Sequence, residues 1–243
     1  MWFFIELSSC GSTFNEARQY PAWTVVRAEQ QEQGRGRFNR RWFGEPGGMW
    51  ATFNVPLTPP DRQDWGLLPL LAGVAIMRAL ARYRIGGLRL RWPNDVLVGR
   101  SKLAGILVER PRADLGSIGI GLNIHNDIQS LVGRVQDAPA RLADLVPECP
   151  TVAEFTAQLA EAIAAAFAEF EQGGIAAIEA ELQRAWGEPR AVEVQTDDGS
   201  IYGDFIGIQP DGSPLLRQPG GSCIAVPASK VNRLIESQEE CRM

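Results

Sequence analysis

The residues best suited to chemistry lie in a short stretch dominated by arginine and glycine. Residues 34–42 read Gly-Arg-Gly-Arg-Phe-Asn-Arg-Arg-Trp, and these four arginines stand in a chain whose net charge is −5. Glycine lets backbone N–H groups approach a ligand closely, and guanidinium groups bind carboxylates and phosphates through paired hydrogen bonds. The segment therefore predicts an anion-binding loop, although its composition fits a solvated basic loop about equally well.

Three further motifs follow along the chain, and each is weak by itself. Residues 91–95 read Arg-Trp-Pro-Asn-Asp, which predicts a strand ending in a sharp turn that displays Asn94 and Asp95 to a ligand or Mg²⁺. Residues 102–107 start with Lys102 at the mouth of an apolar strand, in which Gly105 allows close backbone approach. Residues 119–123 combine two glycines with Asn123. An ordinary turn or a solvated lysine accounts for each motif alone, whereas the ordered combination indicates one site.

The elements that must position these motifs can be predicted from apolar periodicity. Runs rich in aromatic and β-branched residues predict strands over residues 2–7, 24–30, 49–56, 88–92, 95–98, 103–109 and 118–124. Helical spacing predicts helices over residues 63–84, from Thr151 to Gly173, and over 175–186. Thr13 and Thr151 each precede a glutamate by three residues, which predicts capping boxes at both positions. Residues 31–48 are too polar and irregular for either element.

The pattern changes near residue 187. Short strands are expected over residues 192–194, 202–208, 214–217 and 223–226, separated by turns rich in Asp and Gly. Closely spaced strands of this kind predict a small β-barrel appended to the main domain. The expected fold is therefore α+β, with a mixed sheet and helices in residues 1–187 and a small β-domain in residues 188–243.

Composition argues against several classes of protein. A net charge of −5 is unfavourable for nucleic-acid binding and for a basic membrane-surface protein. The four cysteines are far apart and His125 is the one histidine, which leaves too few ligands for a structural zinc site. No apolar run approaches the ~20 residues of a membrane span. The expectation is a cytoplasmic protein whose partners include neither nucleic acid nor a membrane.

Taken in order, the four motifs resemble those of the biotin protein ligases. The similarity runs from about Ser12 to Asn123, and the β-rich tail looks like the SH3-like C-terminal domain of that family. The resemblance implies a mixed-sheet catalytic domain like those of lipoate ligases, followed by a small SH3-like β-barrel. The expected assembly is a monomer or a homodimer.

The resemblance implies an ATP-dependent ligase that works in two steps. Biotin and ATP give biotinyl-5′-AMP and pyrophosphate with the help of Mg²⁺. A specific lysine of a biotin carboxyl carrier protein, from acetyl-CoA carboxylase or a related carboxylase, then takes the biotin and AMP leaves. Adenylation brings a carboxylate and a phosphate together, so fixed positive charge must offset their repulsion. No nucleophilic side chain is needed, and His125 is expected to be structural or exposed.

The resemblance assigns roles residue by residue. The implied catalytic residues are Lys102, Arg35 and Arg37. The implied biotin-binding residues are Ser12, Thr13, Gln31, Gly34, Arg35, Lys102 and Gly105. The implied ATP- and adenylate-binding residues are Arg37, Trp42, Asn94, Asp95 and Asn123. Trp42 resembles a residue that stacks on adenine, and Asp95 is also the candidate Mg²⁺ ligand.

Two positions depart from the family pattern, and two rival functions stay open. Phe14 stands where Asn usually follows the Ser-Thr pair, and Arg91 stands where Lys usually precedes Trp-Pro-Asn-Asp, with altered hydrogen-bond geometry. A lipoate ligase-like acyltransferase and a non-catalytic biotin-binding relative are the alternatives, although Lys102 and the arginine loop favour biotin ligation. A biotin-responsive repressor would need a helix-turn-helix domain, and the residues before Ser12 are too few for one. The expectation is the monofunctional form.

Overall fold

The computed structural model describes residues 1–59 and 64–237, and this part of the chain forms two β-sheets. The larger sheet comprises β1 (Phe3–Cys10), β2 (Thr24–Arg35), β3 (Arg41–Gly44), β4 (Met49–Pro56), β5 (Leu88–Arg91), β6 (Asp95–Val98), β7 (Ser101–Arg112) and β8 (Leu115–Leu122). Its order is β1-β2-β4-β8-β7-β6-β5, and β3 pairs with β2 beside that path. Because β1 is parallel to β2 and the other pairs are antiparallel, the predicted mixed sheet is confirmed.

Within residues 1–59 and 64–237, four α-helices accompany the sheets: α1 (Thr13–Ala17), α2 (Leu68–Ala81), α3 (Val152–Gly173) and α4 (Glu179–Trp186). α2 and α3 pack against each other, and their buried side chains, such as Leu71 and Phe155, belong to one continuous core. The capping box predicted at Thr151 is confirmed. Its hydroxyl accepts a hydrogen bond from the Glu154 N–H at 3.2 Å, and the Glu154 carboxylate accepts one from the Thr151 N–H at 2.8 Å.

The helix predicted over residues 63–84 begins with a 3-10 turn, Asp64–Leu67, and continues as α2. Its predicted start at Gln63 lies outside the described residues. The segment Asp64–Ala81 is long and apolar enough to cross a membrane by length and composition, which corrects the expectation that no run approaches that length. Since 61% of the segment is buried inside the protein, it has the burial typical of a core helix.

The N-terminus of α1 differs from the sequence expectation. The capping residue is Ser12 and its side chain makes no capping bond, so the capping box predicted at Thr13 is wrong. Both the backbone N–H and the hydroxyl of Thr13 donate instead to Oε1 of Gln31 in β2, at 2.9 and 3.1 Å. A side chain from a neighbouring strand thus satisfies the helix end.

The arginine-rich stretch is more regular than the sequence indicates. β2 continues through the polar residues to Arg35, and the chain returns as β3 after a 3-10 turn. In this hairpin Gly34 pairs with Trp42, and a Cβ on Gly34 would lie 2.5 Å from the Trp42 carbonyl oxygen. The expectation of an irregular segment over residues 31–48 is therefore wrong, because pairing with β3 stabilises a strand that has no apolar pattern of its own.

The second sheet is antiparallel and lies at the C-terminal end of the described chain. It comprises β9 (Arg190–Thr196), β10 (Gly199–Ile208), β11 (Pro214–Arg217), β12 (Cys223–Ala225) and β13 (Val231–Glu236), in the order β12-β11-β10-β9-β13. The first four strands were predicted, and β13 was missed. Among the described residues, β12 and β13 are the two edge strands of this sheet and do not pair with each other. Closure of the sheet into an SH3-like barrel therefore stays a prediction.

Specific contacts fix the second sheet against the hairpin of β5 and β6. The guanidinium of Arg89 donates two hydrogen bonds to the carboxylate of Glu236 in β13, at 2.6 and 2.5 Å. The indole N–H of Trp92, in the turn between β5 and β6, donates to the Gly212 carbonyl at 3.0 Å. These contacts are largely buried, so the two sheets are held in one arrangement.

We expect Glu236→Gln to lower the free energy of unfolding by about 2–3 kcal/mol, because Arg89 would stay buried without its counter-charge. The matched control is Glu6→Gln, which breaks the pair between Arg27 and a Glu6 side chain that is 61% exposed. That variant should lose less than about 1 kcal/mol. Urea unfolding followed by tryptophan fluorescence measures both, and equal losses would contradict the importance of burial at Arg89.

Candidate functional site

A cavity of about 640 Å³ opens where β2, β6, β7 and β8 meet, with β13 on its far side. The sequence-predicted residues that line it are Ser12, Thr13, Gln31, Arg35, Arg37, Trp42, Asn94, Asp95, Lys102, Gly105 and Asn123. Gly34 does not line the cavity. Its contribution is indirect, because it allows β2 and β3 to approach closely. The tertiary structure thus brings together nearly every residue that the four motifs indicated.

One end of the cavity combines buried hydroxyl groups with an amide. Thr13 donates to Gln31 and accepts a hydrogen bond from the Thr52 hydroxyl at 2.9 Å, so these three side chains form a fixed chain. The hydroxyl oxygen of Ser12 is buried without a hydrogen-bond partner among the described residues. Because buried polar atoms are normally paired, Ser12 indicates that this end accepts a polar ligand group.

Glycines on β7 and β8 form the floor beside this polar end. The ring of Trp42 packs directly on Gly121 and Gly105. A Cβ added to Gly121 would lie 2.4 Å from the indole, and a Cβ added to Gly105 would lie 2.7 Å from it. The ammonium of Lys102 lies 5.2 Å from the centre of the same ring. Trp42 therefore stands beside Gly105, one of the residues that the family resemblance assigns to biotin.

Phe14, the first departure from the family pattern, has a clear structural role. Its ring covers Gly119, where a Cβ would lie 2.3 Å from a ring carbon, and the guanidinium of Arg35 lies 5.9 Å from the ring centre. Phe14 is buried and lines the cavity. An apolar ring thus lines the cavity at this position and provides a surface for Arg35.

The centre of the site is a cluster of paired charges. The ammonium of Lys102 lies 2.6 Å from Oδ1 of Asp95, and the Arg91 guanidinium donates to Oδ2 of Asp95 at 2.5 Å. Arg91 also donates two hydrogen bonds to Asp137, at 2.9 and 2.7 Å. The substitution of Arg for Lys at position 91 therefore gives one cation two carboxylate partners.

The arginine-rich stretch at the end of β2 and in the following turn, residues 35–40, also lines the cavity. Arg35 forms an ion pair with Glu109 of β7 at 2.9 Å, and Arg37 donates to the carbonyl of Val231, at the start of β13, at 3.2 Å. Burial lowers the pKa of Arg37, an effect that nearby Arg40 increases and Asp95 opposes. Buried and mutually repelling cations favour the binding of an anion.

β13 adds another cation, the half-buried Arg233, to the same site. Burial lowers the pKa of Arg233, and the neighbouring Arg40 and Arg91 lower it further while Asp137 opposes them. Sequence reasoning missed this strand and the cavity-lining segment 131–139, which contains Asp137. The apolar residues Val231, Leu234 and Ile235 among polar neighbours were only a weak strand signal, because they do not alternate with a period of two, and no local signal marked Asp137.

The side-chain amides of Asn94 and Asn123, which were predicted to bind the nucleotide, form hydrogen bonds within the protein. Asn94 donates to the Ile106 carbonyl at 2.8 Å and so fixes the turn after β5 against β7. Asn123 donates to the Ala140 carbonyl at 2.9 Å and accepts a hydrogen bond from Asn126 at 3.0 Å. Both side chains line the cavity, and these bonds position the backbone around it.

The described residues show no group of three or more His, Cys, Asp or Glu side chains arranged to hold a metal ion. The two oxygens of Asp95 face Lys102 and Arg91, so these two cations already balance the negative charge of the carboxylate. The geometry therefore does not fit a resident Mg²⁺ bound by Asp95. His125 is exposed, as expected, and its ring contacts the Pro150 carbonyl at 2.9 Å.

The sequence of this chain is similar to those of known protein ligases. Residues 10–123 match the model of the Biotin/lipoate A/B protein ligase family. The Biotin--[acetyl-CoA-carboxylase] ligase of Paracoccus denitrificans is 32% identical over 228 residues, which are 86% of this chain and 89% of that protein. The Bifunctional ligase/repressor BirA of Bacillus subtilis is 27% identical over 88% of this chain and 68% of its own length.

The fold has a close counterpart among solved structures. The biotin protein ligase from Aquifex aeolicus, solved in complex with biotin and ATP, has a TM-score of 0.84 at 22% identity and covers 98% of this chain and 100% of its own. The mixed sheet and this structural match show that the chain has the biotin protein ligase fold. The extensive similarity to the Paracoccus enzyme shows further that this chain belongs to the biotin protein ligase family.

We expect Gly121→Ala to displace Trp42 from the cavity floor, because the added Cβ would lie 2.4 Å from the indole. Overpacking of this kind should cost about 1–3 kcal/mol of stability. It should also change the near-ultraviolet circular dichroism of Trp42 and Trp50, whose ring centres are 6.3 Å apart. Gly86→Ala is the control, since its Cβ would meet nothing within 4 Å. Identical spectra for the two variants would refute this packing.

Proposed function

We propose that this protein joins biotin and ATP to form biotinyl-5′-AMP and then transfers the biotin to a lysine of a biotin carboxyl carrier protein. The carrier belongs to acetyl-CoA carboxylase or a related carboxylase, in keeping with the name of the Paracoccus relative. The observation that carries the proposal is the convergence of Lys102, Arg35 and Arg37 on a single cavity whose other end offers polar groups. The Aquifex structure, with biotin and ATP bound, has the same fold.

The polar end of the cavity is the proposed biotin subsite. The unpaired Ser12 hydroxyl and the linked pair of Thr13 and Gln31 offer hydrogen bonds to the ureido ring, since a small polar ring needs several placed donors and acceptors. Gly105 and Trp42 provide its apolar wall. We therefore place Trp42 against biotin and not against adenine, because its ring packs on Gly105.

Adenylation requires a carboxylate oxygen of biotin to attack the α-phosphorus of ATP while pyrophosphate leaves with the bonding electron pair. Two anions must come together, and negative charge spreads over the phosphate oxygens in the transition state. Lys102, Arg35 and Arg37 supply fixed positive charge at this point, in a cavity that partly excludes water. The Lys102 ammonium, which forms an ion pair with Asp95, lines the cavity where an anion would enter.

Mg²⁺ enters, in this proposal, as part of the MgATP substrate. Phosphate oxygens and water provide most ligands of Mg²⁺ in nucleotide sites, so no dedicated protein cage is needed. Asp95 then serves as the partner of Lys102 and Arg91. Arg37, Asn94 and Asn123 remain the proposed residues of the nucleotide side, where the two amides fix the surrounding backbone.

We further infer a division at residue 187, with catalysis in residues 1–187 and the small domain in residues 188–243. The proposal includes a cytoplasmic protein that works as a monomer or homodimer and uses neither nucleic acid nor a membrane. The negative net charge of the chain supports the absence of a nucleic-acid partner.

We expect Lys102→Ala to reduce biotin-dependent exchange of pyrophosphate into ATP by about 10²–10³-fold, because a fixed charge next to the reacting anions is lost. The matched control is Lys230→Ala, whose side chain is 62% exposed in a long 3.5 Å contact with Asp198. Exchange by that variant should equal the wild-type rate. A Lys102→Ala rate within threefold of wild type would contradict the role of Lys102.

The transfer step is tested by incubating the protein with biotin, MgATP and a purified carboxyl carrier domain. We expect the carrier to gain the mass of one biotinyl group on a single lysine, as measured by mass spectrometry of the intact protein and its peptides. Lipoate in place of biotin should give no product. Labelling with lipoate alone would favour the acyltransferase alternative, and no labelling with either acid would favour a non-catalytic relative.

A further inference from the structure

The contacts around Lys102 close into a ring of side chains and backbone. Its ammonium contacts Asp95 at 2.6 Å, and Asp95 accepts a 2.5 Å hydrogen bond from Arg91. Arg91 in turn holds both carboxylate oxygens of Asp137. The next residue, Ala138, accepts a 2.7 Å hydrogen bond from the backbone N–H of Lys102 and so completes the ring.

The backbone half of the ring is a short β-like clasp. Besides the bond to Ala138, the Lys102 carbonyl accepts a hydrogen bond from the Ala140 N–H at 2.8 Å. Lys102 and Pro139 form an isolated parallel bridge between these two bonds. Segment 131–139, which lines the cavity, is therefore fastened to the strand that carries Lys102.

We propose that Asp137 is a positioning residue for Lys102, acting through Arg91 and Asp95. Asp137 orients the guanidinium of Arg91, Arg91 orients the carboxylate of Asp95, and Asp95 places the ammonium of Lys102. This inference deepens the proposed function, because it rests on the role given there to Lys102.

The guanidinium group suits this arrangement for a geometric reason. Its planar fork donates to two carboxylates at fixed angles, whereas a lysine ammonium is a compact charge on a flexible stem and cannot orient two carboxylates in this way. Burial alone would raise the pKa of Asp137, yet the hydrogen bonds from Arg91 and the charges of Lys102 and Arg233 hold it below its usual value. Asp137 is thus a charged partner of Arg91 inside the site.

Loss of Asp137 should act on the chemical step more than on biotin binding. Without it, Arg91 has one carboxylate partner and can rotate, so Asp95 no longer holds the Lys102 ammonium at one place. The polar biotin subsite at Ser12 and Gln31 contains neither Arg91 nor Asp137. We therefore expect Asp137→Asn to lower kcat for biotin-dependent pyrophosphate exchange about tenfold while the KM for biotin stays within threefold.

The experiment compares Asp137→Asn, Arg91→Lys and the double variant in the full chain. Both single variants break the same link, so each should lose about tenfold in kcat and the double variant should lose no more than either one. Asp144→Asn is the matched control, because it breaks a 2.6 Å pair with Arg141 in the same part of the chain but away from the cavity. The control should keep the wild-type kcat.

The outcomes separate this inference from the proposed function. A wild-type protein without biotin-dependent exchange would overturn the proposed function itself. If wild type and Lys102→Ala behave as proposed while Asp137→Asn matches Asp144→Asn, only the positioning role is overturned. Multiplied losses in the double variant would also overturn it, since the two residues would then act separately. Should Asp137→Asn fail to fold, a wild-type kcat for Arg91→Lys would overturn the positioning role.

Discussion

The concentration of positive charge in one cavity is the constraint on which the rest of this structure depends. Lys102, Arg35, Arg37, Arg91 and Arg233 all line the same space, and burial lowers the pKa of two of them. Such charges repel one another, so the fold must hold them with carboxylates or with rigid backbone. The residual excess of cations is what suits the cavity to bring a carboxylate and a phosphate together.

The carboxylates that restrain these cations also connect distant parts of the chain. Glu109 holds Arg35 against β7 and Asp137 holds Arg91 against segment 131–139. Glu236 of β13 lines the cavity as well and holds Arg89, which lies outside it. The same ion pairs therefore stabilise the packing and shape the site. This coupling explains why a catalytic cavity on the larger sheet is completed by side chains from the smaller one.

Backbone approach sets the shape of the cavity as much as charge does. The glycines of β7 and β8 leave room for the rings of Phe14 and Trp42, which would collide with any Cβ at Gly119 or Gly121. These rings convert an open sheet surface into a walled pocket beside Ser12. Two features that look unrelated in the sequence, strand glycines and aromatic residues in other segments, are thus parts of one packing arrangement.

The sequence by itself determined the elements whose signals are local. Dense apolar runs marked strands such as β4 and β8, the spacing of Thr151 and Glu154 marked the start of α3, and the four motifs marked the residues that line the cavity. The tertiary structure alone decided the polar end of β2, the strand β13 and the partners of the cations. Arg91 and Asp137 are 46 positions apart, and Arg37 and Val231 are 194 apart. A local pattern cannot specify such pairs, because the strength of an ion pair or strand pairing depends on which groups the packing brings within about 3 Å and how far it removes them from water.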